Sequence, residues 1–214
     1  MAELQTIENS TQMPVFLPER VSAVPEMLPQ PGGAGPLWRS LVFPRRGQRA
    51  LQLGGHGSNL FGFLRDAGVR FEESAGHPGP DGASGLDLVL EDRTNGCAPV
   101  RVDRIRPLLA PGGRWVVALE KKGWIGLAGH AIVRRARRDG FETIETYYAY
   151  PSLSAPRILV PLDAPDPFLY FLRLAVGVRA PRQRLLALGA RCLCALRVHR
   201  MFLPNLIMIA RRSL

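Results

Sequence analysis

The sequence predicts an α/β protein in which helices cover both faces of a mostly parallel sheet. Short apolar runs of strand length alternate with segments of helical periodicity from about residue 50 onward. Turns rich in glycine, or built from proline and glycine, separate these segments. The chain has 214 residues, of which 46% are hydrophobic, so it is long enough to bury one substantial core. This alternation favours a right-handed α/β sandwich.

The first predicted unit is a strand, a glycine turn, a helix and a second strand. Residues 50–53 form a short apolar run, and a Gly-Gly-His-Gly turn at 54–57 follows directly. Apolar residues recur at helical spacing through 60–67, and Gly68 ends this helix. Residues 69–71 form the second strand. This order is typical of one half of a βαβ unit.

The next two strands are joined by a helix. Residues 86–90 form a buried strand that follows a Gly/Pro-rich loop at 74–85, which is too short to hold a further helix and strand. Residues 100–109 form the helix, because Pro111 in the following Pro-Gly-Gly turn cannot extend it. Residues 115–119 are continuously apolar, as expected for a strand covered on both faces.

A basic helix and two further strands complete the predicted sheet. The helix lies between Leu119 and Asp139, and Gly140 ends it. Residues 141–150 alternate in polarity and predict a strand, whereas residues 205–210 predict a closing antiparallel strand.

The chain is expected to have three parts. Residues 1–36 are rich in proline and glycine and predict an extended arm. Residues 37–150 form the α/β core, and residues 151–214 form a helical extension that completes the sheet and serves substrate binding or interaction. Cys192 and Cys194 are expected to be buried helical thiols, because no second Cys/His pair stands at zinc spacing.

The helix expected at 182–200 carries an apolar stripe flanked by arginines. We expect the stripe to pack on the sheet, with its arginines in solvent. The alternative is an interfacial helix whose arginines extend beside anionic headgroups. The stripe comprises Leu185, Leu188, Cys192, Leu196 and His199.

Residues 105–119, with the sequence IRPLLAPGGRWVVAL, resemble the segment around the fifth strand of class I methyltransferases dependent on S-adenosylmethionine (SAM). The resemblance covers residues 49–150. It implies a Rossmann-like, mostly parallel sheet sandwiched by helices, with SAM as the cofactor. The glycine turn departs from the family pattern: Gln52 stands where an acid is usual, and His56 and Ser58 occupy glycine positions.

The same resemblance implies a set of cofactor-binding residues. The glycine turn would hold the methionine moiety, a carboxylate after the second strand would accept hydrogen bonds from the ribose, and two further acids would border the site. These groups are, in order, Gly54, Gly55 and Gly57; Glu72 or Glu73; and Glu91 and Asp92.

Methyl transfer from a sulfonium requires alignment and a deprotonated nucleophile more than a fixed catalytic group. His56, Tyr147 and Tyr148 are the candidate general bases, and each has a purely structural alternative. His56 is the best placed, although its side chain could instead fill space that the cofactor needs.

The predicted function is SAM-dependent methyl transfer, a biosynthetic step, to a small-molecule or lipid-linked acceptor. The alternative is a non-catalytic, methyltransferase-like scaffold that binds a partner protein or an anionic membrane surface. The formal charge of +10 permits such a partner, but no nucleic-acid module accompanies the basic residues. An odd count of three cysteines and the absence of a signal-peptide pattern favour the cytoplasm, and no metal site is expected.

Overall fold

The computed structural model describes residues 36–54, 60–72, 84–94, 101–120, 128–176, 181–196 and 198–214. The strands are β1 Arg49–Gly54, β2 Arg70–Glu72, β3 Leu86–Asp92, β4 Leu109–Glu120, β5 Phe141–Tyr150, β6 Ile158–Pro161 and β7 Asn205–Arg212. The α-helices are α1 Pro36–Val42, α2 Phe63–Asp66, α3 Val102–Leu108, α4 Ala128–Arg138, α5 Pro165–Val176 and α6 Pro181–Ala195. A 3₁₀ turn at His199–Met201 precedes β7.

The strands form one sheet in the order β2-β1-β3-β4-β7-β5-β6. The pairs β1–β2, β1–β3 and β3–β4 are parallel, and β7 is antiparallel to both of its neighbours, β4 and β5. The predicted α/β class and the closing antiparallel strand are therefore confirmed. From β1 the chain moves outward to β2 and then crosses to β3 on the other side, so the order reverses between β1 and β3. This reversal is the topological switch point of a Rossmann-like sheet.

Helices cover both faces of the sheet, because successive strand residues point to opposite sides. On one face, Trp38 of α1 and Leu64 of α2 pack over a core that includes Leu90 of β3. On the other face, Ile105 of α3 and Ala136 of α4 pack in a core that includes strands β1, β3 and β4. Both layers are buried, which explains the continuous apolar runs in the central strands.

The Pro-Gly-Gly segment lies inside β4 rather than before it. Leu86 is paired with Leu109 and Leu88 with Arg114, so one residue of β3, Asp87, lies opposite four residues of β4, 110–113, in a large bulge. Gly113 is needed because a Cβ there would lie 2.8 Å from a backbone oxygen of β3 and one of β4. The predicted turn is thus a local detour within a longer strand.

Several other boundaries differ from the sequence-based expectation. Helix α2 covers only Phe63–Asp66, because residues 60–62 form a turn instead of its first turn. Strand β6 was not predicted, since its four residues lie in a proline-punctuated segment. Gly140, two residues after the end of α4, adopts a φ of +81°, and β5 spans 141–150 as predicted. The predicted arm, except for Pro36, lies outside the described residues.

The prediction that the stripe of the 182–200 helix packs on the sheet is wrong for most of its residues. Leu185, Leu188 and Leu196 are more than half exposed, and Cys192 is also exposed. The helix ends at Ala195, so His199 belongs to the separate 3₁₀ turn, where it is buried. The opposite side of α6 turns inward through smaller residues, and its Cys194 is buried beside α5. Among the described residues, no helix is both long and apolar enough to span a bilayer.

Candidate active site

One row of paired residues crosses the sheet where the parallel strands end. Gly54 of β1 is in register with Asp92 of β3, which is paired with Ala118 of β4. The row continues through Ile207 of β7 to Tyr147 of β5. We call this row the carboxyl edge. With about 4.8 Å between neighbouring strands, Gly54 and Tyr147 are separated by roughly 19 Å along it.

Gly54 lies at the switch point, where open α/β sheets bind ligands. Its φ of +72° is accessible to glycine at little cost and turns the backbone sharply at the end of the strand. The next residues of the predicted glycine loop, Gly55, His56 and Gly57, lie outside the described residues. Their assignment to the methionine moiety stays a prediction.

Asp92 is fully buried beside Gly54. Its Oδ1 accepts hydrogen bonds from the backbone N–H and the hydroxyl of Thr94, at 2.9 and 2.7 Å. This Asx turn fixes the chain as it leaves β3. The carboxylate therefore has a structural function at the place where the predicted site would be bordered.

Glu91 points to the opposite face from Asp92, since it is the preceding residue in the same strand. It is in register with Leu53 and Val117, which belong to the core under α3 and α4. The carboxylate is almost completely buried and accepts a 2.7 Å charged hydrogen bond from Nε of Arg93. Only one of the two predicted acids, Asp92, thus shares the face of Tyr147.

Glu72 is in register with Leu51, three residues before the end of β1 and so roughly 10 Å from the carboxyl edge. Arg49 contacts its Oε1 through Nε at 2.7 Å and through the terminal NH2 nitrogen at 2.6 Å. Neither contact uses Oε2, and the side chain keeps 28% of its surface exposed. Glu73 lies outside the described residues.

Tyr147 and Tyr148 occupy opposite faces of β5. The hydroxyl of Tyr147 donates a 2.8 Å hydrogen bond to Glu145. Partial burial, together with this neighbouring carboxylate, raises the pKa of Tyr147 to about 12. Tyr148 packs against Phe171 of α5, and burial raises the pKa of its hydroxyl as well. At neutral pH both phenols are therefore protonated.

An aromatic cover that sequence reasoning missed lies on the same face as Asp92 and Tyr147. Trp38 of α1 is fully buried and donates a 2.7 Å hydrogen bond from Nε1 to the carbonyl of Leu153. The ring of Phe61 packs edge-on against Trp38, with 5.6 Å between centroids. These residues share a core cluster with Ala118 of the carboxyl edge. The large aromatic residues were the available signal, but their partners lie far away in sequence.

Within the described residues, no group of three or more His, Cys, Asp or Glu side chains is placed to hold a metal ion. Near the carboxyl edge, the groups available to a ligand are backbone and hydroxyl hydrogen-bonding groups and the carboxyl groups of Asp92 and Glu72.

Solved structures of methyltransferases are similar to this chain at low sequence identity. A SAM-dependent methyltransferase from Archaeoglobus fulgidus aligns with a TM-score of 0.48 and 11% identity, over 82% of this chain and 91% of that one. A putative sarcosine dimethylglycine methyltransferase from Galdieria sulphuraria aligns with a TM-score of 0.41 and 14% identity, over 83% of each chain.

The phosphoethanolamine N-methyltransferase 2 of Haemonchus contortus aligns with a TM-score of 0.41 and 13% identity over 84% of this chain. The alignment covers 53% of that protein, so this chain spans about half its length. No protein-family model matches the sequence, and no curated protein matches it. Because one fold hosts many chemistries, activity has to follow from the residues of this chain.

Proposed function

We propose that this protein is a SAM-dependent methyltransferase with a small-molecule acceptor. The observation that carries the proposal is the pairing of Gly54 with Asp92 at the switch point of the sheet. A glycine with positive φ and a neighbouring carboxylate at that crevice suit a ligand that combines charged and hydroxyl groups. The resemblance of residues 105–119 to class I methyltransferases indicates SAM as the methyl donor.

The described residues fit this cofactor in their chemistry. Gly54 would begin the loop that receives the methionine moiety, with Gly55 and Gly57 beyond it. Glu72, through the Oε2 that Arg49 does not contact, or Glu73, would accept hydrogen bonds from the ribose hydroxyls. When bound, SAM supplies an electrophilic methyl group, so the chain has only to align the acceptor and receive its proton.

His56 is the general base in this proposal. An unperturbed imidazole is partly neutral near pH 7 and accepts a proton readily. Tyr147, with a pKa of about 12, is protonated at that pH and donates its one O–H to Glu145, so its oxygen would accept a hydrogen bond from a substrate lying along the carboxyl edge. Tyr148 lies on the other face, where it contacts α5. Glu91 would stabilise the turn after β3 through Arg93 rather than touch the cofactor.

A lipid-linked acceptor is the finer form of the proposal. It is supported by the exposed leucines of α5 and α6, which lie near the end of β5 on the face of the sheet opposite Tyr147. The cytoplasm is the proposed compartment, because Cys192 and Cys194 are free thiols within the described part of the chain.

Isothermal titration with SAM and S-adenosylhomocysteine, with ATP and NAD as controls, tests the cofactor. We expect binding of the first two alone. Gly54→Asp should abolish that binding, because a charged side chain would enter the crevice. Gly47→Asp is the matched control: its φ of +85° imposes similar backbone strain, but it lies before β1 with nothing within 4 Å. Equal loss of affinity in both variants would remove Gly54 from the site.

A non-catalytic, methyltransferase-like scaffold is the second candidate. It is favoured by Asp92, which stabilises a turn, and by Glu72, which is already paired with Arg49. Within the described residues β2 lies at one edge of the sheet, and none of them forms the strand that would flank it in a longer Rossmann sheet. Such a scaffold would bind a partner protein or a membrane surface. Its isothermal titration with SAM, S-adenosylhomocysteine, ATP or NAD would show no binding heat.

A further inference from the structure

The positive charge of the chain is concentrated in its last 48 residues. Residues 167–214 contain nine arginines and no lysine, aspartate or glutamate. This segment therefore carries +9 of the formal net charge of +10, whereas the preceding 166 residues are almost neutral overall. Such a segregation produces a strong local field with one sign.

The same segment exposes an apolar surface on the two packed helices α5 and α6. Tyr170 and Leu174 of α5 are 64% and 68% exposed. On α6, Leu185 and Leu188 are 69% and 58% exposed, and Leu196, just beyond the helix, is 70% exposed. We call these five residues the α5–α6 face. Leu185 and Leu188 are one helical turn apart and Leu186, between them, is also 62% exposed, so the exposed apolar residues of α6 form a broad, continuous stripe.

Exposed arginines accompany this apolar stripe. Arg173 directly precedes Leu174, and Arg191 lies one turn from Leu188. Both side chains are exposed, and neither is part of an ion pair within the described residues. Long arginine side chains beside protruding leucines can keep their charges at a polar surface while the leucines enter an apolar one.

We propose that the α5–α6 face binds the surface of a membrane that contains anionic lipids. Leucines would enter the boundary between headgroups and acyl chains, and the arginines would contact lipid phosphates. A second copy of this chain would instead bring the same arginines together across a two-fold interface. A single-stranded nucleic acid would require aromatic side chains for stacking, and the face offers Tyr170 alone. A duplex would pair with the arginines through its phosphates but would leave the exposed leucines without an apolar partner. The net positive charge of the segment and the exposed leucines together favour an anionic bilayer as the binding partner.

This face lies near the carboxyl edge of the sheet. Phe171 of α5 packs against Tyr148 and Tyr150, with ring centroids 5.7 and 5.4 Å apart, where β5 ends. Binding at the α5–α6 face would thus place the membrane near the end of β5, on the face of the sheet opposite Asp92 and Tyr147. The proposal does not depend on methyltransferase activity, because its evidence is the charge and exposure of α5 and α6.

Co-sedimentation of the full chain with vesicles tests the proposal. We expect the protein to pellet with phosphatidylcholine vesicles that contain phosphatidylserine, and much less with phosphatidylcholine alone. Raising the salt from about 0.1 M to about 1 M shortens the screening length from about 10 Å to about 3 Å and should release the protein. Absence of pelleting at low salt would overturn the proposal, whatever the nucleotide titration shows.

Substitutions locate the binding surface. Arg173→Gln and Arg191→Gln should each weaken partitioning about fivefold, which corresponds to about 1 kcal/mol for one arginine near an anionic surface. Arg134→Gln and Arg137→Gln, at exposed positions of α4, change the net charge equally and are the matched controls. Equal losses in both pairs would indicate that net charge alone, and not the α5–α6 face, attracts the protein.

The leucines are tested in the same way. Leu185→Glu and Leu196→Glu should reduce pelleting without lowering the melting temperature, because both side chains are already exposed. Leu214→Glu is the control, since Leu214 is 94% exposed and follows the end of β7 that lies opposite the carboxyl edge. Unchanged pelleting of the first two variants would refute the assignment. So would a dimer of the free protein that Leu185→Glu dissociates.

Discussion

The bulge in β4 yields the sharpest prediction for stability. In Gly113→Ala, the new methyl group would lie 2.8 Å from the carbonyl oxygens of Ala110 and Leu86. Both oxygens belong to the backbone of paired strands, so neither can rotate away as a side chain could. Relief requires β3 and β4 to move apart where β3 begins, and it also requires the bulge of β4 to change shape. We expect a cost of about 3 kcal/mol, at the upper end for overpacking.

Thermal unfolding followed by circular dichroism measures this cost. For a chain of this size, 3 kcal/mol corresponds to a fall in melting temperature of about 6–12 °C. Gly47→Ala is the matched control, because it places a methyl group at a φ of +85° with nothing within 4 Å. Its backbone strain of about 1 kcal/mol should lower the melting temperature by about 2–4 °C. If Gly113→Ala is no worse than this control, the bulge tolerates a side chain and the reasoning is refuted.

Two further predictions concern buried charge and the tyrosine at the carboxyl edge. Glu91→Gln should destabilise the protein by about 3–5 kcal/mol, because Arg93 would keep a buried charge without its partner. Urea unfolding measures this loss, and a value below about 1 kcal/mol would contradict the prediction. Tyr147 has a higher pKa when folded, about 12 against an ordinary value of 10, so its stabilising effect is complete below pH 10 and is lost as the pH rises toward 12. Stability measured across that interval should fall less steeply in Tyr147→Phe, and identical slopes would show that Tyr147 does not contribute.

The central strands were predictable because their signals are local. Residues 141–150 alternate in polarity between Gly140 and a proline, and the strand occupies just those positions. The run at 115–119 is apolar throughout, since both faces of β4 are covered by core. In such segments the pattern of apolar and polar residues indicates whether one face or both faces of the strand are buried.

The environment of α6 was not predictable from its periodicity. An apolar stripe indicates that one side of a helix differs from the other, but it does not determine which side packs against the sheet. In α6 Leu185, Leu186 and Leu188 face solvent and Cys194 faces the core, so most of its large residues are exposed. The pairing of Trp38 with Leu153 was also hidden, because 115 residues separate the two.

The candidate site was predictable only in outline. Gly54 and Asp92 could be placed at strand ends, and parallel strands bring such ends together. The pairing of Glu72 with Arg49 depends on the register between β1 and β2, which no local pattern specifies. That Glu91 and Asp92 face opposite sides follows from the alternation of a strand, once the strand is known to continue to Asp92.

The position of β7 has a consequence for how the chain folds during synthesis. Among the described strands β7 is the last in chain order, yet it lies between β4 and β5 and joins them. Until it is made, the nascent chain holds two separate sheet fragments, each with an unpaired and largely apolar border. Chains released before residue 205 should therefore self-associate through these borders and depend on chaperones. Completion of the fold is a late event, in which one strand closes the sheet from within.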